Sequence, residues 1–207
     1  MSDRQIKILL VVIPLVLVGM LVFDRITSRK SVERVKVEET VKVVSVKDSS
    51  LGIVCIVKKL SAIYTAEIGV RELTGRNDGV RVEEYLASCG LGKGYAWCAA
   101  FVNWCFVQAG IQGSGSAYSP NWFPSSKVIY TNGAKNNRTP SKCDVFGMYY
   151  KEKKRIAHVG FIDEWKEGNN YCITVEGNTN DGGSREGDGV YKKRRLKNQI
   201  YKVSRWI

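Results

Sequence analysis

The chain has 207 residues, enough for one ordinary domain plus appendages. With 44% apolar and 25% charged residues it has the composition of a globular protein, which excludes a disordered chain. A formal net charge of +12 favours a polyanionic neighbour such as nucleic acid, anionic lipid or an acidic wall polymer, the alternative being a merely basic surface.

The first element is apolar. Ile8 to Phe23 carries no charge, and counting back through Lys7, whose ammonium snorkels, to Ile6 gives a run of eighteen residues. A membrane-spanning helix takes about 20 residues, and Pro14 is tolerated in such a helix. No small-x-small cleavage site follows Phe23, so residues 1–24 read as an uncleaved transmembrane anchor, with a secretory signal as the rival. Arg4 and Lys7 precede the segment, whereas Arg25, Arg29, Lys30, Arg34 and Lys36 follow it. By the positive-inside rule the rest of the chain would then stay in the cytoplasm. Residues 25–55 are charged and valine-rich without a clean period, and read as a linker.

From residue 56 the pattern is that of a folded domain running to 207. "KKLSAIYTAEIGVREL" places Leu60, Ile63, Tyr64 and Ile68 at helical spacing. "GRNDG" is a turn, and "VRVEEYLASCG" is a second helix with Gly90 as its stop. "WCAAFVNWCFVQAG" is a third helix, ended by Gly110. A loop rich in Gly, Ser and Pro runs from 113 to 126. Strand-like pieces follow: "DVFGMYY", "IAHVGFIDEW", "NYCITVEGN", "GVYKKR" and "IYKVSRWI". Helices first and strands afterwards predict an α+β domain with an antiparallel sheet.

Six cysteines accompany a single histidine, and no two cysteines stand at C-x-x-C spacing, so a structural zinc site is not expected. Cys98 falls at the opening of the third helix, directly after a glycine-rich stretch. A thiol nucleophile works as its thiolate, and a helix N-terminus favours that negative charge. The alternative for Cys98 is a buried small hydrophobe. If Cys98 is a working thiolate, five cysteines remain, and at least one other is free or pairs outside the chain. His158 lies in an alternating strand, where it shares a face with Gly160 and Ile162; Gly160 leaves room for a backbone or a substrate. A lone histidine is otherwise more often structural. Glu176 closes a strand whose face it shares with Cys172 and Thr174, and it is a candidate to accept the imidazole N–H and fix its tautomer. Asn178 is a neutral alternative for that role, and a solvated surface is the plain alternative for Glu176.

"GYAWCAAFVNW", "AHVGFI" and "TVEGN" together resemble the CHAP group of cysteine amidohydrolases and peptidases, within the NlpC-like, papain-related fold and close to its small membrane-anchored, Bacteroides-type members. The resemblance covers about residues 58–207. It implies Cys98 as nucleophile, His158 as base, Glu176 as orienting residue and Asn178 as a further polar group of the site, with no metal or other cofactor. Two departures stand out: Ala96 where the group often has Pro, and Cys143 in "SKCDV" where it commonly has Gly. In the implied reaction Cys98 attacks an amide carbonyl, and His158 takes the thiol proton and returns one to the leaving amine. The Cys98 N–H and Tyr95 are candidates to hold the oxyanion. Trp97, Tyr118 and Trp122 are candidate groove walls, against ordinary aromatic packing.

These features lead to a membrane-tethered peptidoglycan hydrolase, cutting either the stem peptide or the N-acetylmuramoyl-L-alanine link. Its domain is expected on the periplasmic or extracytoplasmic side, in conflict with the flanking charges, and a cell-envelope secretion or conjugation assembly is a further expected partner. The alternative is a membrane-anchored, non-catalytic binding protein whose basic tract "YKKRRLKNQIYKVSR" holds a polyanion. Nucleic acid is not the expected partner, because one solvated basic face is usual for a terminal strand.

Overall fold

In the computed structural model, the residues described are 50–181 and 187–207. The anchor reading of residues 1–24 and the linker reading up to residue 49 lie outside them. Among the described residues no helix is long and apolar enough to cross a membrane. Everything below belongs to the compact unit Ile53–Ile207, apart from the first helical residues.

Helix α1 covers residues 50–66, so the last residues assigned to the linker are helical. Leu60 and Tyr64, one turn apart, are fully buried, while Leu51, Ile53 and Val54 are exposed. The helix stops short of the expected "GVREL" because the backbone turns at Gly69, which takes φ of 101°. Beyond it, Gly69 N–H donates to the Val190 carbonyl at 3.0 Å and Val190 N–H to that of Val70 at 2.9 Å. Helix α2 is Val80–Ala87, and Gly90 turns the chain behind it at φ of 72°. Helix α3 is Cys98–Ala109, closed by Gly110 in the left-handed conformation. Nine of its twelve residues are buried, the pattern of a helix enclosed on nearly all sides. It packs on α2 and against the sheet.

The loop after α3 contains a short 3-10 turn, Ser119–Trp122. Six strands follow among the described residues: β1 (Val128–Thr131), β2 (Val145–Tyr150), β3 (Arg155–Glu164), β4 (Tyr171–Thr179), β5 (Gly189–Leu196) and β6 (Lys202–Ser204). They form one antiparallel sheet in the order β1-β6-β2-β3-β4-β5. The α+β class holds, and β1 is an addition to the expected strands. The sheet is buried on both faces. Val159 and Phe161 join the helices in the main core, whereas Ile162, Phe146 and Cys172 form a second cluster on the other face. The expected alternation along β3 is therefore real.

Cys143 stands at φ of 73°, a left-handed backbone that costs a Cβ-bearing residue on the order of 1–2 kcal/mol. That geometry accounts for glycine being the commoner residue there.

The basic tract from Tyr191 onward is partly engaged within the fold. Lys192 pairs with Asp163 at 2.8 Å, and Arg205 with Asp144 at 2.7 Å. Lys197 donates to the Lys166 carbonyl at 2.6 Å, Lys193 to that of Asn180, and Arg194 lies 3.8 Å over the Tyr171 ring. Arg195 turns inward altogether. Lys192, Lys193, Arg195 and Arg205 thus have acidic partners, while Lys192 and Arg194 stay on the exposed face of β5.

Candidate active site

Cys98 is the first residue of α3, and no side chain caps that helix start. The start is instead tied through Trp97, whose indole N–H donates to Glu72 Oε1 at 2.8 Å. Glu72 Oε2 accepts the Asn77 N–H at 2.8 Å, so one carboxylate links the 72–77 loop to the residue before the thiol. The Cys98 thiol is almost fully buried and lies 3.6 Å from the Ser119 hydroxyl.

β3 presents His158 to this thiol, close enough for the ring to act on the thiol's ionisation. The other side of the ring is fixed by β4, where His158 Nε2–H donates to Glu176 Oε2 at 2.8 Å. This bond assigns Nδ1 as the nitrogen that faces sulfur. Glu176 is completely buried. Its carboxylate also receives a fork from Arg195 on β5, Nε to Oε1 at 2.8 Å and Nη2 to Oε2 at 2.6 Å, and a hydrogen bond from the Thr174 hydroxyl. Arg195 Nη2 reaches Thr179 Oγ1 at 3.3 Å as well.

Two glycines make this approach possible. A Cβ on Gly160 would lie 2.7 Å from the Val175 carbonyl oxygen, 2.9 Å from Phe146 and 3.0 Å from Glu176 Cγ. The space beside His158 is thus taken by the β4 backbone and by the Glu176 side chain. A Cβ on Gly177 would lie 2.7 Å from both Phe101 and Trp97, so this glycine lets β4 reach the start of α3.

The electrostatics follow from the contacts. Burial pushes the Cys98 thiol up, but the hydrogen bond and charge of His158, with Ser119 and the Val159 N–H, outweigh it and hold the thiol below its ordinary value. Burial works against imidazolium too, yet Cys98 and Glu176 together raise His158 to about 9. Burial opposes the Glu176 carboxylate, and Arg195 and His158 overcome it, keeping that group ionised well below the usual carboxylate range. The two directions together favour the thiolate and imidazolium form of the pair. Cys105, seven residues along α3, contrasts with Cys98: burial and the nearby Glu67 push its thiol well up, which makes it an inert core thiol.

A cavity of about 570 Å3 opens onto Cys98 and His158, with Asn178, Lys193 and Arg195 also in its wall. Asn178 does not orient His158. The ladder is irregular between Glu176 and Thr179, and Asn178 takes φ of 53°. This bulge breaks the alternation that would have put Asn178 on the face of Glu176, and its amide donates to Asn77 Oδ1 at 3.1 Å. Trp97 and Trp122 are not groove walls, for both are fully buried. Trp97 stacks on Tyr85, and Trp122 packs against Phe106 and Trp206 and donates to the Ser116 carbonyl. Tyr95 and Tyr118 are half-exposed and stand outside the cavity wall. Arg155 lies 5.0 Å over the Tyr118 ring.

Ser119, Thr174 and Arg195 belong to the site, and sequence reasoning did not single them out. For Arg195 a signal existed. In the β5 burial pattern Tyr191, Lys193 and Arg195 are half-buried between exposed Lys192, Arg194 and Leu196.

Residues 90–178 match the family model of the CHAP domain, and the chain thus carries a domain of the CHAP, papain-like family. The match begins just before Cys98 and includes His158 and Glu176. No curated protein matches the chain. Among solved structures, the chain is similar to RipD from Mycobacterium tuberculosis, described as a non-catalytic NlpC/p60 domain protein adapted to peptidoglycan binding. The identity is 12% and the TM-score 0.41, over 73% of this chain and 98% of that one. It is also similar to the P60 domain of an antigen from M. avium paratuberculosis, at 13% identity and a TM-score of 0.45, over 77% of this chain and 98% of that one.

Proposed function

We propose that this protein is a peptidoglycan hydrolase that cuts an amide bond, in the stem peptide or at the muramoyl–alanine link, by a thiol mechanism. The observation that carries the reading is the buried Cys98–His158–Glu176 line, with Nε2 to Oε2 at 2.8 Å, ending on a cavity. In this reading the Cys98 thiolate adds to the amide carbonyl carbon. Electrons move onto the carbonyl oxygen, which the Cys98 N–H at the open start of α3 stabilises. The His158 imidazolium gives its proton to the leaving nitrogen as the C–N bond breaks, leaving a thioester on Cys98. Neutral His158 then deprotonates a water that attacks the thioester, and the thiolate is regenerated. Glu176 holds the ring in one tautomer and stabilises the imidazolium.

The CHAP match over residues 90–178 supports a wall-directed hydrolase. The net charge of +12 suits a polymer that bears carboxylates. Residues 1–24 would tether the enzyme to the membrane, 25–55 would link it, and 56–207 would work outside the cytoplasm, at sites of growth or of secretion or conjugation assembly. The test is a zymogram on purified wall with the full chain, wild type against Cys98→Ala. The wild type clears and the variant does not; clearing that survives the substitution rules out the thiol mechanism. For orientation, a C-terminal reporter active only in the periplasm reads out the topology, and activity of a cytoplasm-only reporter contradicts the proposed location.

A further inference from the structure

Four groups in a row carry alternating charge when the site is active: Cys98 thiolate, His158 imidazolium, Glu176 carboxylate and Arg195 guanidinium. They come from α3, β3, β4 and β5. Three are nearly or wholly buried, and the fourth is about one-fifth exposed at its side chain. Their sum is zero. We propose that Arg195 is a positioning residue that closes this charge balance: by gripping both oxygens of Glu176 it fixes the carboxylate against His158 and permits the thiolate–imidazolium pair to form in a buried site. This rests on the thiol reading given above.

The geometry is specific to arginine. Arg195 pairs across β4 with Cys172, and its side chain runs along the sheet face past Thr174 to Glu176. Two parallel bonds from one planar group set the angle of the carboxylate as well as its place. Other groups around the set do not replace it. Ser119 and Thr174 are neutral donors. Tyr150 of β2 and Cys172 of β4 have burial raising them, which keeps both protonated and neutral at working pH. Lys193 of β5 is turned to the Asn180 carbonyl and to Asp181. Lys151, Glu152 and Lys153 stand in the exposed turn after β2 and line the cavity, with no contact to Glu176 among the described hydrogen bonds and ion pairs.

The consequence has a sign. With Arg195 the site carries one positive charge before Cys98 ionises, none as the ion pair, and one negative after His158 loses its proton. Without Arg195 these become zero, one negative and two negative, in the same buried space. Each proton loss becomes harder, so both limbs of the activity window move to higher pH.

The experiment uses the full chain and needs no wall substrate. Iodoacetamide labelling of Cys98 is followed by peptide-level mass spectrometry from pH 4 to 10 in wild type, Arg195→Gln and Arg195→Lys, with Cys105 as the internal buried control. The expected result for Arg195→Gln is an onset of labelling displaced upward by about one pH unit, which is roughly tenfold slower labelling on the rising limb below the onset. Arg195→Lys restores the charge without the fork and is expected to recover part of the shift. Melting curves run alongside. If Arg195→Gln and Arg195→Lys only lower the melting temperature and leave the onset in place, the role is structural and the proposal falls. Should Arg195→Gln not fold, the uncharged Arg195→Met decides, since an onset identical to wild type in it overturns the proposal. Wild-type Cys98 that labels no faster than Cys105 sinks the underlying thiol reading, and the charge-balance role with it, whereas a reactive wild-type Cys98 with an unmoved variant onset sinks the Arg195 role alone.

Discussion

Gly160→Ala tests the packing that brings Glu176 to His158. The added methyl would sit 2.7 Å from the Val175 carbonyl oxygen, 2.9 Å from Phe146 Cε1 and 3.0 Å from Glu176 Cγ, in a sheet region buried on both faces. The Val175 oxygen belongs to the backbone of β4 and cannot swing away, so either the β3–β4 ladder spreads or Glu176 is displaced. Overpacking of this kind costs about 1–3 kcal/mol. For a domain of this size that corresponds to a fall of roughly 2–12 °C in Tm. Displacing Glu176 lengthens the 2.8 Å bond that sets the His158 tautomer, and wall-clearing rate should fall at least about tenfold, in line with what general acid–base positioning contributes. The matched control is Gly92→Ala, where a Cβ meets nothing within 4 Å and neither quantity should drop. The assay pairs differential scanning fluorimetry with a turbidity assay on purified wall. A Gly160→Ala protein with wild-type Tm and wild-type clearing would refute the claim that this glycine keeps the space for Glu176.

In the proposed mechanism the reactive form has Cys98 deprotonated and His158 protonated. Wall clearing should therefore begin below the ordinary thiol range and decline near pH 9, as the imidazolium is lost; a rate still climbing at pH 10 contradicts the ion pair. Glu176→Gln leaves Arg195 and His158 without their buried anion, a loss of about 3–5 kcal/mol by the measure of broken buried pairs, seen as a lower urea midpoint. Glu176 is held below its unfolded value, so its stabilising contribution is full at neutral pH and lost as pH falls; Glu176→Gln should flatten the acid side of the stability profile, and an unchanged profile argues against the pairing. Trp122→Ala should cost about 3–5 kcal/mol in chemical denaturation as a core deletion, whereas Tyr118→Ala at a half-exposed position should stay within about 1 kcal/mol. The reverse order would return Trp122 to the groove.

The three helices and five of the strands were legible because their patterns match how they are buried. Cys98 was legible because it opens an apolar helix, and His158 because the chain has no other histidine. What was not legible involves direction. Trp97 and Trp122 stand close to the site in sequence or space, yet closeness does not say that both indoles point into the core. Asn178 sits at even spacing from Glu176, and only the bulge after Gly177 sends it elsewhere. β1 is four residues long with a register shift, too short for alternation to register. Arg195 was hidden by its neighbours, since a run of Lys and Arg reads as a solvated face until strand alternation is applied to it.

The order of the sheet bears on how this protein is made. β1 meets the rest of the sheet only through β6, which separates it from β2 by inserting between them. During synthesis, β1 emerges from the ribosome some seventy residues, and β2 some fifty residues, ahead of the strand they both require. Until Lys202–Ser204 arrive, each shows an open edge, and Trp122 lacks the indole of Trp206 that packs against it. Such long-range pairing is slow to form. Assembly of the Cys98–His158–Glu176 site on the neighbouring strands would then finish late, once the whole domain is in place.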